Sequence, residues 1–272
     1  MDDLTRDHFD THAAYWHDVY FDANTFTGYS LRCVHDAVLE RIAARSNISR
    51  ILDIGCGAGI TAAELATGGY KVTACDIAPG MVERAQSTTR ERDTTVNLCV
   101  ARAEALPYPP ESFDAVIALG LLSNVRDDAA ALREMYRVLR PGGLLLATVA
   151  NLIALDVWSA LPGSLPILLN TTPLRRPTRQ AGNVIRRLTG RDPKDPDAIR
   201  FGRSVIPPLY ARRLRQFNFV NVELSAHSFG PLIPFGVIRL PQAQSIAISR
   251  TLQRIKTTPS LATAVLFNAV RG

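Results

Sequence analysis

Between Arg50 and Ala150, short apolar runs alternate with runs of helical periodicity, and this alternation restricts the fold more than any other feature of the chain. The apolar runs are RILDIG, KVTACDI (71–77), VNLCVA (96–101), FDAVIAL (113–119) and LLLATVA (144–150). Each is nearly continuous, as expected of strands buried on both faces. Helical spacing fills 60–68, 79–92 and 127–140, the last closed by Pro141, Gly142 and Gly143. Such alternation requires right-handed crossovers and a parallel sheet covered on both sides. Upstream, residues 2–20 and 28–46 are each expected to form one helix. The alternation stops at Asn151. A Pro-opened helix in IPPLYARRLRQFNF and two late strands, VNVELSAHSFG and LATAVLFNAV, then suit an antiparallel edge. The expected fold is α/β: a Rossmann-like, doubly wound, mostly parallel seven-stranded sheet with an antiparallel edge strand and an inserted helical lid.

Composition narrows the class. Of 272 residues, 47% are hydrophobic and 21% charged, as in ordinary globular proteins. Cys33, Cys56, Cys75 and Cys99 lie too far apart for a zinc framework, so no metal is expected, and they fit a reducing compartment. The polar start MDDLTRDHFD does not read as a signal peptide. The longest apolar run, Leu152 to Leu169, is interrupted by Asp156, Pro162, Gly163 and Pro166 and does not suit a membrane span. A cytoplasmic protein is expected.

The turn after the first strand, DIGCGAG, locates a ligand. Ligands of open α/β sheets bind outside the carboxyl ends of the strands. Gly55, Gly57 and Gly59 allow the main chain to approach such a ligand closely. The spacing is Gly-x-Gly-x-Gly, which departs from the dinucleotide fingerprint, and no Lys-Ser/Thr follows as a phosphate loop would need. Asp76 ends the second strand, where a carboxylate can accept hydrogen bonds from two vicinal ribose hydroxyls.

In four motifs taken in order, LDIGCGAG, ACDIAPGMVERA, AEALPYPPESFDAVIA and EMYRVLRPGGLLL, the chain resembles the class I S-adenosylmethionine-dependent methyltransferases. The resemblance implies S-adenosyl-L-methionine as cofactor. It implies that Asp53 and the turn of Gly55, Gly57 and Gly59 hold the methionyl end and that Asp76 holds the ribose. Ile77 and Met81 would sandwich the adenine, Ala103 and Glu104 would line its edge, and Leu119 and Gly120 would lie beneath the sulfonium. Where the family often carries an acidic residue, this chain has Arg102, so Arg102 is expected to turn outward and Glu104 to replace it. The organisation implied is cap helices over 1–46, a cofactor-binding core over 47–150, an acceptor lid over 151–205, and sheet-completing strands over 206–272.

Methyl transfer to a hydroxyl or activated C–H also calls for a base. Two histidines are the catalytic candidates: His12, in the first helix beside Tyr15 and Trp16, and His227, in the first late strand. Tyr15, Trp16, Asn124 and Trp158 are the candidate acceptor contacts. Asn124, followed by Val125 and Asp127, resembles the Asn-Val of quinone-ring C-methyltransferases.

The net charge of +6 is local. Between Thr171 and Arg215 twelve Lys or Arg stand against three Asp, a surplus of +9 that leaves −3 on the rest. Ala181, Val184, Ile185 and Leu188 share one helical face, with Arg179, Arg186 and Arg187 off it. This pattern suits a lid with a solvated basic face, or peripheral contact with an anionic lipid surface. The expectation is methyl transfer to oxygen or carbon of a small, apolar or lipid-linked acceptor. The alternatives are an RNA methyltransferase using the basic segment, disfavoured because no aromatics interleave with the arginines, and a non-catalytic S-adenosylmethionine-binding module. Nothing in the sequence fixes an oligomeric state.

Overall fold

A computed structural model describes residues 2–22, 24–152, 154, 204–229, 241–254 and 261–272. Trp158, the basic stretch around Arg179, Arg186 and Arg187, and nearly all of the expected lid over 151–205 lie outside the described residues.

Five strands form the parallel part of the sheet: β1 (Arg50–Ile54), β2 (Lys71–Asp76), β3 (Asn97–Val100), β4 (Phe113–Ala118) and β5 (Leu139–Asn151). Two late strands, β7 (Phe219–Ser228) and β8 (Ala264–Arg271), complete the path β3-β2-β1-β4-β5-β8-β7. These seven strands make the expected mostly parallel sheet, with β8 running antiparallel to both β5 and β7. A two-residue strand, β6 (Ser204–Val205), adds an eighth by pairing in parallel with Ala150 and Asn151. Because β8 takes the other edge of β5 at Ala150, β6 lies on the side that β4 occupies up to Ala147.

Alternation along the strands sends side chains to two cores. Leu52, Val116, Leu145 and Phe267 point to one face, packing with α6 (Asp128–Val138) and α7 (Pro207–Gln216) through Leu132, Met135, Tyr210 and Leu214. Ile51, Ile117, Leu146 and Leu266 point to the other, against α3 (Phe26–Ala43) and α4 (Ile60–Thr67) through Val38, Ile42, Ala62 and Leu65. Every residue of β4 is buried, as a strand central to a doubly covered sheet requires. A side chain locks the entrance of the sheet: Asp114 Oδ2 accepts from the N–H groups of Ser49 (2.9 Å) and Arg50 (2.7 Å), while its Oδ1 accepts from Arg140 (2.5 Å). It therefore binds the start of β4 to β1 and β5.

Two elements differ from expectation. The first helix is divided into α1 (Asp2–Thr11) and α2 (Ala13–Phe21) at His12, which sits at φ −109 and ψ 17. Its imidazole Nδ1 lies 2.8 Å from the His8 carbonyl oxygen and donates to it, alongside the His12 N–H, which also donates to that carbonyl at 3.1 Å. Helix α6 ends at Val138, and β5 already pairs through Leu139, before the Pro-Gly-Gly turn. The remaining helices are α5 (Pro79–Glu91) and α8 (Gln242–Arg254).

Candidate functional site

A cavity of about 440 Å³ opens at the carboxyl ends of β1, β2, β4 and β5, within the size range of small-molecule sites. One end is the glycine turn. The N–H groups of Gly55 (2.7 Å) and Cys56 (3.1 Å) both donate to the Cys75 carbonyl, which ties the turn to the end of β2. Gly57 stands at φ +51, and a Cβ built there meets no protein atom within 4 Å. Since Gly57 lines the cavity, such a Cβ would take up space that a ligand can use. Gly59 has a different task. Its Cβ would come within 2.7 Å of the Ala85 Cβ, so this glycine lets α4 start directly against α5.

Two carboxylates line this end, and their surroundings differ. Asp76 is 8% exposed; its Oδ2 accepts from the Gly57 N–H (2.9 Å) and its Oδ1 from the Ala78 N–H (3.0 Å). Burial pushes its carboxyl up, and these backbone bonds pull it part of the way back. Asp53 is 3% exposed and receives no hydrogen bond from a described residue. Burial first, and then the Asp76 charge, push its carboxyl up to about 7. Burial also raises the Cys56 thiol, which lines the same end.

The resemblance-derived cofactor residues converge here. Asp53, Gly55, Gly57, Asp76, Ile77 and Met81 line the cavity, and so do Ala103, Glu104, Leu119 and Gly120. Gly59 does not, consistent with its packing task. Arg102 is exposed and outside the lining, while Glu104 is within it. Glu104 Oε1 is also engaged with the chain before α6, accepting from the Arg126 N–H at 3.2 Å. The donor set fits the implied cofactor. Asp76 can receive hydroxyl donors on its remaining lone pairs, and the buried, unpaired Asp53 suits a cation.

The other end is apolar. Leu31 and Val34 of α3 face it, with Val149 and Ala150 of β5 and Phe9 and Trp16 from the first two helices. Hydroxyls interrupt this wall. Thr148 Oγ1 accepts from the Gly120 N–H (2.7 Å) and Ser123 Oγ accepts from the Ala150 N–H (2.8 Å). Asn124 joins the lining and donates through Nδ2 to the Gly120 carbonyl (2.6 Å), while its Oδ1 is buried with no partner.

The expected bases are not brought to this cavity. His12 is exposed and stacks on His8, with ring centroids 4.4 Å apart. His227 turns toward Ser225, whose Oγ lies 2.8 Å from Nε2. Burial, with Arg41 adding to it, lowers the His227 imidazole to about 4. Neither histidine lines the cavity; nor does Tyr15, which is 57% exposed. Among the expected acceptor contacts, Trp16 and Asn124 do line it. Sequence reasoning missed Ser30, Leu31, Val34, Thr148 and Thr263. Thr148 carried a signal, as the polar residue inside LLLATVA. The others become neighbours only through tertiary packing. Among the described residues no cluster of three or more His, Cys, Asp or Glu could hold a metal, and no described helix is long and apolar enough to cross a membrane.

Comparison with known proteins agrees with this geometry. Residues 52–147 match the family described as "Methyltransferase domain". A ubiquinone biosynthesis O-methyltransferase of Xanthomonas campestris pv. campestris (strain B100) is 36% identical over 124 residues, 44% of this chain and 52% of the relative. Its counterpart in Methylocella silvestris is 40% identical over 102 residues, 38% of this chain and 40% of the relative. The chain thus spans about half or less of the length of these curated relatives. Among solved structures, magnesium protoporphyrin IX methyltransferase from Synechocystis PCC 6803, with bound SAH, superposes with a TM-score of 0.62 at 17% identity, covering 100% of both chains. Haemonchus contortus phosphoethanolamine N-methyltransferase 2, in complex with S-adenosyl-L-methionine, gives 0.59 at 17% identity, covering 98% of this chain and 60% of the other. At these identities the structural likeness is one of fold.

Proposed function

We propose, from the premise that residues 52–147 match the methyltransferase-domain family, that the chain is an S-adenosylmethionine-dependent enzyme that methylates a small, largely apolar acceptor at oxygen or carbon. One observation carries this assignment: the Asp53–Gly57–Asp76 end and the apolar wall of Leu31, Val34, Val149 and Ala150 belong to a single cavity. S-adenosylmethionine supplies an activated methyl group. Asp76 would hold the ribose, Asp53 the ammonium of the amino-acid end, and Ile77 and Met81 would flank the adenine. Gly120 and Thr148, both in the lining, are joined by the Gly120 N–H donating to Thr148 Oγ1. The walls can contribute alignment and exclusion of water. Oxygen ranks ahead of carbon because the curated relatives are named as O-methyltransferases of ubiquinone biosynthesis. By the same likeness, a hydroxylated quinol-type ring, free or lipid-linked, is the acceptor to try first.

The test has two stages. Calorimetry should show S-adenosylhomocysteine binding to the wild-type protein. Labelled-methyl transfer should then favour apolar phenols and quinols over a tRNA control. Cofactor binding with transfer to none of these acceptors would discard the acceptor class. Absence of cofactor binding would discard the whole assignment. The +9 segment from Thr171 to Arg215 supports peripheral contact with anionic lipid. Sedimentation with phosphatidylserine vesicles should then fall as salt rises, and salt-independent failure to sediment would remove the membrane contact.

A further inference from the structure

We propose that the Asp53–Asp76 pair holds one proton in the ligand-free protein and releases it when a ligand that places an α-ammonium beside Asp53 binds, so that cofactor affinity rises with pH. This rests on the assignment above that the site takes S-adenosylmethionine.

The geometry comes first. Asp53 lies near the end of β1, between Ala74 of β2 and Ile117 of β4 in the sheet register. It is 3% exposed, faces the cavity, and receives neither a hydrogen bond nor an ion pair from a described residue. Asp76, two residues further along the neighbouring strand, has both oxygens engaged by backbone N–H groups. Those bonds favour its charged form, and its charge disfavours a second one on Asp53.

The other titratable groups around Asp53 do not relieve this. No Lys, Arg or His is among the described lining residues. The third lining carboxylate, Glu104, adds negative charge. The Cys56 and Cys75 thiols are pushed upward by burial and stay neutral. Asp53 is therefore the group that retains a proton near neutrality, consistent with its rise to about 7.

An ammonium placed beside this carboxylate supplies the missing countercharge. The carboxylic acid then gives its proton to solvent and becomes a carboxylate. No other bond changes; the ligand keeps the charge it brings, and its ammonium is countered by the negative charge formed on Asp53 as the proton leaves to solvent. Binding that requires loss of a proton strengthens as that proton becomes easier to lose, which fixes the sign: affinity falls below the free-state value of Asp53 and levels off above it.

Calorimetry of the full chain in buffers of different ionisation enthalpy counts the protons. With S-adenosylhomocysteine at about pH 6, close to one proton should be released, and almost none at about pH 8.5; correspondingly, affinity should rise up to about tenfold per pH unit below neutrality. Methylthioadenosine, which keeps the nucleoside and the thioether but lacks the amino-acid end, should bind without releasing a proton. Asp53→Asn should abolish the release while the nucleoside still binds. The wild-type pH profile decides the matter alone should that variant fail to fold. Binding of S-adenosylhomocysteine with no proton release at about pH 6 would overturn the inference and leave the function standing. Equal release with methylthioadenosine would also overturn it. No binding at any pH would remove the assigned function, and this inference with it.

Discussion

The two ends of the cavity are built in different ways. The cofactor end comes from one stretch of chain, Asp53 to Gly120, in which each turn directly follows a strand. It is polar, carboxylate-lined and fixed by backbone hydrogen bonds. The acceptor end is assembled from α3, β5 and the approach to β8, separated by more than two hundred residues from Ser30 to Thr263. It is apolar, with the Thr148 and Ser123 hydroxyls engaged by backbone N–H groups and that of Ser30 by the Ser228 hydroxyl. An end that needs special backbone angles leaves its mark in local sequence, since glycine is the residue that permits them. An end that needs only apolar surface can be made from many sequences, and it leaves little mark.

The largest expected effect lies at the cofactor end. Gly59→Val should cost about 2–6 kcal/mol, combining a β-branched residue at φ +75 with a 2.7 Å clash against Ala85. That is a large part of an ordinary domain's stability. Thermal unfolding followed by circular dichroism should show the loss, and an unchanged melting temperature would mean that α4 and α5 do not pack as described.

Next is Asp76→Ala. It removes a charged acceptor whose hydrogen bonds are worth about 1.5–3 kcal/mol each, so S-adenosylhomocysteine affinity should fall about a hundredfold or more. Leu31→Ala, at the apolar end, should leave that affinity nearly intact and raise the acceptor KM. Similar losses of cofactor affinity in both variants would erase the distinction between the two ends.

This contrast also explains what could be read from sequence. The alternation of strands and helices, the glycine turn and Asp76 at the end of β2 were legible because hydrophobic periodicity and turn chemistry are local. The position of His227 in a late strand was legible as well, but its direction was not. Alternation puts it on the same side as Ser225, and Arg41 of α3 donates to Ser225 Oγ at 2.6 Å. That arrangement depends on how α3 lies across β7. The break at His12 was hidden for another reason: helical spacing of apolar residues continues through it, and the change lies in the His12 backbone angles, with its imidazole bonded to the His8 carbonyl.

A smaller effect compares Asp53 with His227 through pH. The Asp53 carboxyl rises from 3.8 to about 7 on folding, so between these values the folded state holds a proton that the unfolded state has lost. Stability from this group falls as pH rises through that window. The His227 imidazole drops from 6.5 to about 4, so between these values the unfolded state holds the extra proton. Stability from this group falls as pH falls. From about pH 4 to 6.5 the two slopes oppose each other. Asp53→Asn should therefore expose a loss of stability toward acid, and His227→Asn a loss toward neutrality. Denaturant titrations at several pH values would show it, and identical pH profiles for both variants would mean that neither group is perturbed by folding.

The smallest expected effect tests whether the acceptor end uses a histidine at all. His12 is exposed, outside the cavity lining, and held through Nδ1 at the junction of α1 and α2. Replacing a side chain in such a position usually changes free energies by no more than about 0.5 kcal/mol, or roughly a factor of two. His12→Ala should thus leave both S-adenosylhomocysteine affinity and turnover within about that factor. A tenfold loss of turnover at unchanged affinity would show that the imidazole reaches the acceptor during reaction. The first two helices would then have to move inward around Phe9 and Trp16, which already stand at the cavity wall, and the apolar end would gain the proton-accepting group that its described walls lack.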